Sequence, residues 1–150
     1  EHRILKPDFT KPMVPHLELD NNVIIFSLFP GIEEHLIHHM LDAPELRSIV
    51  MRSYGSGNAP QQPWLMNLLR KASERDVVVV NISQCISGQV EMNRYDTGYQ
   101  LKDAGVVSGY DSTVEAAVTK LMHLQAKSDD ADYIRRKMSR SIAGEITVTV

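Results

Sequence analysis

The chain has 150 residues, 43 % hydrophobic and 23 % charged, the length and balance of one soluble globular domain that can bury a core without staples. A formal charge of −3 with no basic tract of five or more residues argues against a nucleic-acid or anionic-membrane surface, and leaves a small molecule or another subunit as the expected partner. The single cysteine, Cys85, rules out an internal disulfide and fits a reducing compartment, and no apolar run approaches the roughly 18 residues of a membrane span.

Residues 1–20, with Pro7, Pro12 and Pro15 and no apolar period, read as a linker or extended arm, without the pattern of a signal peptide. The chain opens on Glu1 and not on methionine, which leads us to expect a chain trimmed, cleaved or cut out of a longer one. From Asn21 the sequence becomes rhythmic. The run "VIIFSLF" (23–29) predicts a strand closed by Pro30 and Gly31, and "IEEHLIHHML" places Ile32, Leu36, Ile37, Met40 and Leu41 at helical spacing. "LRSIVM" (46–51) predicts a second strand ending beside Arg52. A helix is expected from about Pro63, a residue suited to a first turn, with Leu65, Leu68, Leu69 and Ala72 on one face.

"DVVVVNIS" (76–83) is the clearest strand, because four consecutive valines without alternation imply burial on both faces. A loop of about twenty residues follows, then a small strand in "AGVVSG" (104–109). Ser112 and Glu115 have capping-box spacing and open a helix carrying Val114, Ala117, Val118, Leu121 and Met122. A last helix is expected from about Asp129 to Ser141, followed by the tail "GEITVTV". Four alternations of strand and helix, with strands apolar on both faces, predict an α/β fold: a small parallel sheet of about four strands between helices, a three-layer sandwich.

Ligands in such folds collect at the carboxyl ends of the strands, which here means Arg52–Pro60 and Asn81–Gly88. Gly55 and Gly57 could cradle a phosphate, but Pro60 stands where a dinucleotide fingerprint needs glycine and no P-loop lysine follows. A plain tight turn explains the glycines and explains Arg52 less well. A guanidinium at a strand end suits a carboxylate held in two parallel hydrogen bonds, and the Asn58 amide offers a donor and an acceptor. A ligand with carboxylate and carboxamide ends would suit the pair.

Other candidates have plainer readings. Cys85 lacks a neighbouring base in sequence, so ligand contact or simple packing is favoured over nucleophilic catalysis. His35 and His39 are four apart on one helix, but no glutamate follows His35 and no third ligand can be assigned, so no metal or other cofactor is expected. "KSDDADYIRRK" (127–137) complements a helix dipole and reads as surface. Glu91, Tyr95 and Asp96 lie in the long connection beside the site, where either a functional loop or a mobile one is expected.

The order of "LFPGI" (28–32), "RSYGSGNAP" (52–60), "VVVNISQCISGQV" (78–90), "YDTG" (95–98), "AGVVSGYDSTVEAAVTKL" (104–121) and "GEIT" (144–147) resembles the C-terminal domain of bacterial cytosolic type I L-asparaginases. The resemblance covers nearly all of residues 21–147. It implies a C-terminal domain over 21–150 entered by an interdomain linker at 1–20, in a cytoplasmic homodimer or homotetramer. It also implies hydrolysis of L-asparagine to aspartate and ammonia through a threonine acyl-enzyme, whose TGGT and GTDT motifs belong to an N-terminal catalytic domain. Neither motif occurs here, so no catalytic residue is assigned and the chain alone is expected to be inactive. The resemblance places Asn58 at the active site of a neighbouring subunit and matches Arg52, Asn58, Ser83 and Cys85 to an asparagine effector site, where Ser83 replaces the usual threonine. Tyr54, in the same loop, joins these candidates. A stand-alone amino-acid-binding module that kept this pocket is the alternative reading, and a domain of the ammonia-supplying subunit of tRNA-dependent amidation is a third.

Overall fold

The computed structural model describes residues 9–10, 12–93 and 96–147. Along the chain stand β1 (Val23–Ser27), α1 (Glu34–Leu41), β2 (Ser48–Ser53), α2 (Pro63–Glu74), β3 (Val78–Ser83), α3 (Asp96–Asp103), β4 (Val107–Ser108), α4 (Val114–Gln125) and α5 (Ala131–Met138). The strands form one parallel four-stranded sheet in the order β1-β2-β3-β4. Side chains alternate across a strand, so β2 and β3 each feed both faces. Ile49, Met51 and Val79 pack against Ile37 and Leu41 of α1, Leu65 and Leu69 of α2 and Leu101 of α3. Val50, Val78, Val80 and Ile82 pack against Ala117, Leu121 and Leu124 of α4 and Ala131, Ile134 and Met138 of α5. The α/β three-layer sandwich expected from the sequence is what forms, and the valine run of β3 is fully buried at its centre.

Several local expectations are corrected. β2 reaches Ser53 and does not stop beside Arg52, because Arg52 pairs with Ser27 and Ile82 and Ser53 pairs with Ser83. The supposed twenty-residue loop after β3 contains α3, whose close fit against Met92 the sequence alone does not reveal. The helix cap is Thr113 rather than Ser112: Thr113 Oγ1 accepts from the Ala116 N–H at 3.2 Å, while Ser112 Oγ donates to the Gly109 carbonyl at 2.7 Å and closes the preceding turn. β1 ends two residues early, at Ser27, and α5 is shorter than expected at both ends. Tyr95 and residues 148–150 of the tail lie outside the described residues.

The segment leading into β1 is clasped by Arg47, which sits just before β2. Its guanidinium donates to Asp20 Oδ2 at 2.9 Å and to the carbonyls of Gln125 and Ser128 at 3.1 and 3.0 Å, and it pairs with Asp129 at 3.0 Å. The Asp20 N–H meets the Met122 carbonyl at 3.1 Å. Burial alone would push the Asp20 carboxyl up, but the Asn22 N–H and Arg47 outweigh it and hold Asp20 below its ordinary value. Arg47→Ala removes the side-chain donor of Asp20 Oδ2 and of the Gln125 and Ser128 carbonyls, and should cost about 2 kcal/mol. Urea unfolding checks this, and an unchanged midpoint would show that the clasp carries no stability.

Candidate functional site

The glycine-rich loop leaves β2 as a tight antiparallel clip. The Tyr54 N–H donates to the Asn58 carbonyl and the Asn58 N–H returns to the Tyr54 carbonyl, both at 2.8 Å. Gly55 and Gly57 carry φ of +48° and +105°, which L side chains adopt only with strain. A Cβ on Gly57 would also stand 2.8 Å from Val90 Cγ1. The reading of these glycines as turn residues is therefore sound, and the turn serves to bring the backbone close to its neighbours.

The loops after β2 and β3 are sewn together at the carboxyl end of the sheet. Ser83 Oγ donates to the Gly55 carbonyl at 2.6 Å and accepts from the Cys85 N–H at 3.0 Å. Asn81 Nδ2 donates to the Gly57 carbonyl at 3.1 Å. Gln84 Nε2 spans the carbonyls of Leu28 and Arg52 at 2.6 and 2.9 Å, while the Gln84 N–H reaches the Ser53 carbonyl at 2.9 Å. Gln84 thereby staples the ends of β1, β2 and β3. Nothing in the sequence assigns Asn81 or Gln84 a role; the one signal is an asparagine directly after four valines, which the structure buries.

The structure gathers Arg52 and Ser83 at the ends of β2 and β3 with Tyr54, Asn58 and Cys85 on the two joined loops that follow, but their side chains lean toward different elements. Arg52 is half-buried and donates from Nη1 to Ser27 Oγ at 3.4 Å, while its buried Nε has no hydrogen-bond partner among the described residues. Glu115, in the first turn of α4, is held below the ordinary carboxylate range by its own backbone N–H, then by the Thr113 hydroxyl, with the charge of Arg52 adding to them. The guanidinium thus has donors left over and already influences one carboxylate. Asn58 faces α3, where its Oδ1 accepts from Thr97 Oγ1 at 3.0 Å. Tyr54 packs against the core beneath α1, α2 and α3, and Cys85 is exposed.

The helical histidines stay apart from this site. His35 lies 3.2 Å from Glu33 and His38 lies 3.1 Å from Asp42. Among the described residues no group of three or more His, Cys, Asp or Glu side chains is placed to hold a metal ion, and no helix is long and apolar enough to cross a membrane.

A parallel sheet sandwiched by helices, with a clipped glycine loop carrying arginine and asparagine at its carboxyl end, defines the class. The chain belongs to the Glutaminase/Asparaginase C-terminal domain family, whose family model matches residues 22–138. It is 43 % identical over 123 residues to "L-asparaginase 1" of Escherichia coli strain K12, a match covering 82 % of this chain and 36 % of that protein. It is 35 % identical over 145 residues to "60 kDa lysophospholipase" of Homo sapiens, covering 96 % of this chain and 25 % of that protein. Among solved structures it superposes on L-asparaginase I of Vibrio cholerae with a TM-score of 0.81 and 40 % identity, over 86 % of this chain and 39 % of that one. The chain thus spans about a third of the length of the L-asparaginases it matches. The resemblance read from its motifs, to the C-terminal domain of type I L-asparaginases, stands.

Proposed function

We propose that this chain acts within an L-asparaginase, performing no bond chemistry itself but supplying binding groups to a reaction carried by an N-terminal domain. That domain would form the threonine acyl-enzyme that turns L-asparagine and water into L-aspartate and ammonia. Residues 1–20 would lead in from it, and the assembly would be a cytoplasmic homodimer or homotetramer, as the family resemblance implies. Asn58 would reach the active site of a neighbouring subunit. Arg52, with Tyr54, Asn58, Ser83 and Cys85, would form an effector site for asparagine itself.

The observation that carries this reading is the joined pair of loops at the carboxyl end of the sheet, with the half-buried Arg52 guanidinium beside them making one side-chain hydrogen bond among the described residues. A carboxylate can accept two parallel hydrogen bonds from the Nη end of such a guanidinium, where only Nη1 is engaged, by Ser27. Isothermal titration of L-asparagine and L-aspartate into the chain and its Arg52→Ala variant tests it, together with an ammonia-release assay. Asparagine binding should weaken at least tenfold in Arg52→Ala, as expected for losing a charge-assisted pair, with no ammonia formed by the chain alone. Equal binding by the variant would remove Arg52 from the site, and ammonia release would place the chemistry within these 150 residues.

A further inference from the structure

The side-chain amide of Asn58 is tied to α3. Thr97, the second residue of α3, is buried and donates its hydroxyl proton to Asn58 Oδ1 at 3.0 Å. Nδ2 of Asn58 has no partner among the described residues and is not among the buried unsatisfied atoms. The backbone beneath it is fixed from two further sides, by Asn81 Nδ2 on the Gly57 carbonyl and by the mutual Tyr54–Asn58 clip. Thr97 is itself held in place by its neighbour. A Cβ on Gly98 would lie 2.4 Å from the Met92 carbonyl oxygen, so only glycine lets the first turn of α3 sit this low against the chain.

We infer that Thr97 is a positioning residue that locks the Asn58 amide with its oxygen inward, so that Asn58 meets its ligand as a donor. The group it reads is then an acceptor, a carboxylate or carbonyl oxygen of the substrate, and not an ammonium or an amide N–H. This rests on the proposal that Asn58 contacts substrate. The locking of the amide itself depends only on the contact between α3 and the glycine loop.

Two measurements separate these layers. In nuclear magnetic resonance of the 150-residue chain, the side-chain carbonyl carbon and amide nitrogen of Asn58 should stand apart from their free-asparagine positions, because the oxygen accepts a hydrogen bond. They should move toward those positions in Thr97→Val and return in Thr97→Ser. In the full-length enzyme, Thr97→Val should raise KM for asparagine about five- to tenfold, the usual effect of one lost hydrogen bond, with kcat nearly unchanged and with rescue by Thr97→Ser. Asn58→Asp keeps an acceptor for Thr97 but turns the outward donor into an acceptor, so it should impair KM at least as much as Asn58→Ala. It also carries the test if Thr97→Val fails to fold. Unmoved Asn58 signals in Thr97→Val, or a wild-type KM in Asn58→Asp beside an impaired Asn58→Ala, would overturn the inference. Full activity in Asn58→Ala would instead overturn the substrate contact.

Discussion

Lys120→Met should unfold at a markedly lower urea concentration than the parent chain, losing about 3–5 kcal/mol, because it strands a buried charge. Lys120 is 3 % exposed and Glu145 11 % exposed, and their charged atoms stand 2.6 Å apart. The remaining ammonium protons go to the carbonyls of Met138 and Arg140 at 3.3 and 2.5 Å. The Glu145 carboxylate also accepts from the Ile142 and Ala143 N–H groups. Burial pushes the Glu145 carboxyl up, but Lys120 and these N–H groups overcome it and hold it down to about 2, against an ordinary 4.5. A carboxyl depressed in the folded state stabilises above its unfolded value and loses that contribution as it is protonated. Stability should therefore fall as pH drops from about 4.5 toward about 2, by on the order of 2 kcal/mol once solvent screening is allowed for. Urea midpoints measured across that range should decline steeply in the parent and far less in Glu145→Gln. A pH-independent parent midpoint would show that the pair does not hold the C-terminal segment onto α4.

Gly98→Ala should also destabilise, although helix propensity alone predicts a gain of about 1 kcal/mol from replacing glycine inside a helix. The sign is decided by space. The added Cβ would meet the Met92 carbonyl oxygen at 2.4 Å and its carbon at 2.8 Å, backbone atoms that no side-chain rotation can clear. α3 must lift, and overpacking of this kind costs about 1–3 kcal/mol beyond the propensity gain. Lifting α3 also carries Thr97 away from Asn58, so under the proposed function asparagine turnover by the full-length protein should decline together with stability. Thermal unfolding decides the first point. A variant more stable than the parent would mean that α3 does not approach Met92 this closely.

What the sequence disclosed follows from where each signal lies. β3 was legible because four valines can be buried on both faces only in the middle of a parallel sheet, and α2 because its leucines recur on one face behind Pro63. α3 was missed because its turn begins at Asp96-Thr97-Gly98, where a glycine in the first turn argues for a loop and the reason for it, the Met92 carbonyl, lies four residues outside the helix. Ser112 and Thr113 are both competent caps, and only the Gly109 carbonyl that takes the Ser112 hydroxyl distinguishes them. At the site, Arg52 and Asn58 stood out by chemistry. Asn81, Gln84 and Thr97 did not, because their partners are 24 to 56 positions away along the chain: Gly57, Leu28 and Asn58.

Strand order in the sheet equals strand order along the chain. Each strand can therefore add to the exposed edge of the one before it as the polypeptide leaves the ribosome, with its own crossover helix already made, and no strand has to be inserted between two that are paired. Such neighbour-by-neighbour growth keeps loop-closure distances short and favours rapid assembly. The other face waits longer. Val50, Val78, Val80 and Ile82 are covered only when α4 and α5 have been synthesised, and Arg47 finds the carbonyls of Gln125 and Ser128 only when the end of α4 and the turn after it arrive. Until then the nascent sheet has one dry side and one open apolar side, the stage at which chaperone capture or misassociation with a second nascent chain would compete with folding.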